Sequence, residues 1–101
     1  MGMYTEVRGW IKLSVIEFKN FEKLMNEAKG LSPRASQCVS STCFNIGSNW
    51  KNYVFIGGSI KNYDDEWRIY LKFLSQKLPI EDYNIELRYE EADSWTKICL
   101  T

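Results

Sequence analysis

The chain has 101 residues, with 13 Lys and Arg against 13 Asp and Glu, so its formal charge at neutral pH is zero. With 45% hydrophobic and 26% charged residues the composition is globular, and the length suits one domain spanning residues 1–101. Charge balance excludes a broadly basic nucleic-acid binder. The complete lack of histidine excludes His-based acid–base chemistry, Ser-His and Cys-His nucleophile pairs, and every histidine-containing metal site.

The first element is a strand over Met3 to Leu13. Met3, Thr5, Val7, Gly9, Ile11 and Leu13 alternate with Tyr4, Glu6, Arg8, Trp10 and Lys12, which gives one buried and one wetter face. Ser14-Val15-Ile16-Glu17 then reads as a capping box. Val15, Phe18, Phe21, Met25 and Ala28 recur at helical spacing as far as Gly30, a candidate left-handed cap with Pro33 close behind.

Residues 31–37 read as a loop and 38–46 as a weak strand, because Ser40-Ser41-Thr42 interrupts it. A turn at Gly47-Ser48-Asn49 leads to a strand from Trp50 to Ile60. Both faces of that strand are apolar, so it is expected at the interior of a sheet. Gly57-Gly58 within it points to a bulge or a close backbone approach.

A second helix follows, capped by Asn62 or Asp64, with Asp64-Asp65-Glu66 at the positive end of its dipole. Its buried stripe is Trp67, Tyr70, Leu71, Leu74 and Leu78, and Pro79 ends it. Alternation returns from Tyr83, with Ile85, Leu87 and Tyr89 inward and Asn84, Glu86, Arg88 and Glu90 outward. Trp95 to Leu100 completes an antiparallel pair. The fold class is therefore α+β: two helices on one face of an antiparallel sheet, in the order β-α-β-β-α-β-β, a ferredoxin-like variant.

Cys38, Cys43 and Cys99 are odd in number and lack metal-ligand spacing, which favours reduced thiols in a cytoplasmic protein. Charges interrupt the first thirty residues, so neither a signal peptide nor a membrane span is expected. Asp64-Asp65-Glu66 converges poorly on one ion, because consecutive helical residues point about 100° apart. Gly57-Gly58-Ser59 lacks the phosphate-loop pattern. No catalytic residue, metal or cofactor is expected.

What remains is the outward face of the first strand and the amide- and aromatic-rich middle of the chain. Tyr4, Arg8, Trp10, Asn49, Trp50 and Tyr53 are the candidate contact residues, since rigid aromatics and arginine anchor partners at small entropic cost. RNA-recognition domains use the same face, but Lys51-Asn52-Tyr53-Val54-Phe55 does not match their third-strand motif, and Glu6, Glu86 and Glu90 repel phosphate. The reading is a non-catalytic module of the inhibitor, immunity, antitoxin or phage-accessory type. It would contact another protein or a second copy of itself, as a homodimer. The alternative is a homo-oligomeric domain binding a small molecule or nucleotide, with Trp10, Trp50 and Tyr53 stacking a ring.

Overall fold

The structure is a computed structural model that describes residues 4–45, 52–61 and 65–100. It is α+β, with a five-stranded antiparallel sheet and three helices. Strand β1 (Tyr4–Leu13) is followed by α1 (Phe18–Ala28), α2 (Ala35–Ser40), β2 (Thr42–Phe44) and β3 (Asn52–Lys61). Then come α3 (Glu66–Lys77), β4 (Ile80–Tyr89) and β5 (Thr96–Lys97). The spatial order is β2-β3-β1-β4-β5. Both α2 and the β5 edge set it apart from a plain four-stranded split unit with two helices.

Period-two patterning works as expected. Val7, Ile11 and Leu13 of β1 join Val54, Ile56 and Ile60 of β3 and Ile85 and Leu87 of β4 in one buried layer. Helix α3 lies on that layer through its 3–4 stripe: Trp67, Tyr70, Leu71 and Leu74 are all at most 1% exposed. The indole N–H of Trp67 donates to the Thr5 carbonyl at 3.0 Å, which fixes the helix against β1.

Several local expectations are corrected. Ser14 does not close a capping box: Glu17 takes the N-cap position without a side-chain bond, while the Ser14 hydroxyl donates to Glu81 at 3.0 Å. Helix α1 consequently begins later, and Val15 and Phe18 stay exposed at 63% and 42%. Gly30 is not left-handed, because ordinary turn bonds close the helix.

The expected loop at 31–37 runs into helix α2, which removes residues 38–40 from the expected strand. Hydroxyls explain this. Ser40, Ser41 and Thr42 each donate to the carbonyl four residues back, at 2.9, 3.0 and 2.9 Å, so the polar run supports a helical turn rather than a ladder. At α3, residue 65 is the N-cap, in the left-handed region (φ 59°), and it makes no side-chain cap bond. Asn62 and Asp64 lie outside the described residues.

The two adjacent glycines divide the expectation between them. A Cβ on Gly58 would collide with the Ser41 side chain, so the close approach is there. Gly57 faces the other way, and a Cβ there would meet nothing within 4 Å.

Candidate functional site: the open face of the sheet

Every second residue of the sheet points away from the helices, and the strand register assembles these residues into rows. The central row runs Cys43, Phe55, Trp10, Asn84, and carries no charge. One row below are Tyr53, Lys12 and Asp82; one row above are Gly57, Arg8, Glu86 and Lys97. Beyond those come Ser59, Glu6 and Arg88, then Lys61 and Tyr4.

The half of this face over β1 and β4 is closed by the chain's own contacts. Arg8 meets Glu86 at 3.3 Å and Arg88 meets Glu6 at 2.9 Å. The segment after β4 folds back over them: Arg88 donates to the Ala92 carbonyl at 3.3 Å, and Trp95 brings its ring to 3.8 Å from the Arg8 guanidinium. Tyr4 is 41% exposed, with the Lys61 ammonium 5.9 Å from its ring.

The other half is aromatic. Trp10 meets Tyr53 edge-on with centroids 6.0 Å apart, and Tyr53 stacks on Phe55 at 5.9 Å and 13°. Phe55 is 48% exposed. Beside Trp10 a shallow groove of about 570 Å³ runs along Asp82, Asn84, Lys97 and Cys99.

Of the sequence candidates, Tyr4, Arg8, Trp10 and Tyr53 share this face, whereas Asn49 and Trp50 lie outside the described residues. Arg8 is engaged by Glu86 and Trp95, so its guanidinium is already committed within the monomer. Sequence reasoning missed Phe55, Gly57 and Trp95. Alternation from Tyr53 already puts Phe55 on the same face, so that signal was present. Trp95 reaches the face through a turn that no pattern reveals.

The face offers contact area. The displaced thiol is elsewhere: burial, with Glu66 nearby, pushes Cys38 up to about 12 in the core, which keeps it protonated and a poor nucleophile. Among the described residues, no group of three or more Cys, Asp or Glu could hold a metal ion. Nor is any helix among them long and apolar enough to cross a membrane. No protein-family model matches the chain, and neither a curated protein nor a solved structure matches it.

Proposed function

We propose that this chain is a small non-catalytic binding module that acts by protein–protein contact through the open face of its sheet. The observation that carries the reading is the joined aromatic cluster Trp10–Tyr53–Phe55, set on a face whose arginines are neutralised internally. Aromatic side chains at the centre of a surface with compensated charge are the anatomy of a protein-contact site. A polyphosphate chain needs a continuous run of cations, and here Arg8 and Arg88 are already bound to Glu86 and Glu6 while Lys12, Lys61 and Lys97 are dispersed over three separate rows. This favours a protein over a nucleic acid, and suits an inhibitor or immunity-type role.

Two finer readings belong here. The ferredoxin-like assignment is supported by the neighbour order β4-β1-β3-β2 and by helices on the crossovers, with α2 and β5 as additions. A cytoplasmic location is supported by Cys43, an exposed thiol that an oxidising compartment would tend to consume.

The test is the native mass of the untagged protein taken from its source cell, compared with Phe55→Arg. The reading expects a protein complex heavier than 11.9 kDa that the variant loses. Recovery at 11.9 kDa alone, a complex indifferent to Phe55→Arg, or added mass due to nucleic acid overturns it.

A further inference from the structure

We propose that residues 98–100 form a latch with two seats along the edge of β4. In the observed seat the Tyr83 phenol holds the segment off the strand. In the second seat Leu100 pairs with the Tyr83 backbone, and β5 grows from two residues to five.

The strand register defines both seats. Glu86 faces Lys97 and Leu87 faces Thr96, so continuing the ladder sets Ile85 opposite Ile98 and Tyr83 opposite Leu100. The Ile98 N–H still donates to the Ile85 carbonyl at 2.9 Å. Hydrogen-bonded pairs recur at every second residue of an antiparallel ladder, which makes Tyr83 and Leu100 the next pair. Among the described residues no backbone bond joins them. Side chains satisfy their amides instead. The Tyr83 N–H donates to Asp82 Oδ1 at 2.8 Å, and the Leu100 N–H donates to the Tyr83 hydroxyl at 3.0 Å. That hydroxyl donates in turn to Cys99 Sγ at 3.6 Å, so one phenol grips two successive residues.

The segment also has room to shift. On the open face, the groove beside Trp10 borders Ile98 and Cys99. A second hollow of about 260 Å³ lies between Leu100, Tyr83 and the end of α3 at Ser75 and Leu78. A third, of about 370 Å³, separates Ile98 and Leu100 from Arg68, Leu71 and Lys72. Protein interiors are otherwise close-packed, and Ile98 and Leu100 are only partly buried against the core.

The two seats are close in hydrogen bonding. On zipping, the Tyr83 and Leu100 amides leave Asp82 and the phenol and take each other's carbonyls, while the phenol turns to water. Near-equal states are what a small difference in contacts can bias. The consequence falls on the sheet edge. In the observed seat the Tyr83 N–H is capped by a carboxylate, and in the zipped seat a strand covers it. The latch therefore sets whether residues 80–83 present an edge to another strand.

Amide hydrogen exchange of the full chain, followed by NMR in Tyr83→Phe and Asp82→Ala, tests the latch. Tyr83→Phe removes the hydroxyl and keeps the ring. The amides of residues 83 and 100 should gain about tenfold or more in protection, with a new cross-strand contact between them. Unchanged protection at Val7 and Val54 reports an intact sheet. Lost protection at Ile98 would make the phenol a staple without which the segment frays, and unchanged protection at Leu100 would mean that no second seat exists. Either result overturns the proposal. If Tyr83→Phe also loses protection at Val7 and Val54, Asp82→Ala, which frees the Tyr83 N–H and leaves the phenol in place, decides by the same criteria.

Discussion

The Arg34 guanidinium reaches the carboxylate of Glu66 at 3.1 Å, and the Glu66 side chain is wholly buried while Arg34 is 30% exposed. This contact ties the turn before α2 to the first turn of α3, the helix whose next residue, Trp67, is bonded to β1.

Arg34→Ala is expected to destabilise the fold by about 2–3 kcal/mol, because it removes a charge-assisted partner from a buried carboxylate. Adding Glu66→Gln to that variant should recover part of the loss, since a neutral amide costs less to keep buried. Urea denaturation of the two single variants and the double variant measures the coupling. A fully additive result would remove the ion pair as the cause.

Stability should fall at alkaline pH. Burial raises Cys38 from an ordinary 9 to about 12, and burial likewise raises Tyr70 well above its ordinary 10. In the unfolded chain both groups lose protons first, so above pH 9 the unfolded state binds fewer protons and the folded state loses ground. The contribution is fully present below about pH 9. It then declines with a limiting slope of about 1.4 kcal/mol per pH unit for each titrating group. Cys38→Ala should flatten the onset between pH 9 and 10, read as the denaturation midpoint against pH. An unchanged onset would contradict the assignment to Cys38.

The same burial sorts the cysteines by reactivity. Cys43 and Cys99 are exposed and should react with a maleimide in the native protein, whereas Cys38 should react only on unfolding. Intact-mass analysis before and after adding urea counts two labels, then three. Three labels under native conditions would show that α2 opens readily.

Glycine substitutions separate backbone need from surface vacancy. Gly9 has φ 151°, and a Cβ there would run into the Asn84 carbonyl and the Ile85 backbone, neither of which yields easily. Gly9→Ala should cost on the order of 3 kcal/mol or more. Gly57→Ala should be neutral or stabilising by about 0.5–1 kcal/mol in the monomer, as the strand loses less entropy on folding. Equal losses at both sites would refute this distinction.

Sheet and core were legible in the sequence wherever burial imposed a strict period. The alternation of Thr5, Val7, Ile11 and Leu13 and the stripe of Trp67, Tyr70, Leu71 and Leu74 each report a one-sided environment that the fold then supplies. Helix α2 was illegible because six residues with only Ala35 and Cys38 buried are too short to display a period. Ser14 and Glu66 misled for another reason: each has the chemistry of a local cap or a solvated charge, and a partner distant in sequence, Glu81 or Arg34, claims it instead. The candidate site was half visible. Alternation placed Tyr4, Arg8, Trp10 and Tyr53 on one face, but the register that sets Trp10 opposite Phe55 is a property of the assembled sheet.

Trp10 separates a structural aromatic from a contact anchor. It lies on the open face, partly exposed, and meets Tyr53 only edge to edge, whereas Trp67 is fully buried and hydrogen-bonded. Trp67→Ala should therefore cost about 3–5 kcal/mol of folding stability, the usual loss for truncating a large core side chain. Trp10→Ala should cost the monomer roughly 1 kcal/mol, the scale of a lost cross-strand aromatic pair. Its larger effect should fall on association, by about 2 kcal/mol, as for a central interface tryptophan. Denaturation at two protein concentrations distinguishes the terms, because only association makes the midpoint depend on concentration. Concentration dependence in the wild type that Trp10→Ala loses would assign Trp10 to a contact between copies. A folding loss at Trp10 equal to that at Trp67, with no concentration dependence in either chain, would make Trp10 a packing residue of the monomer.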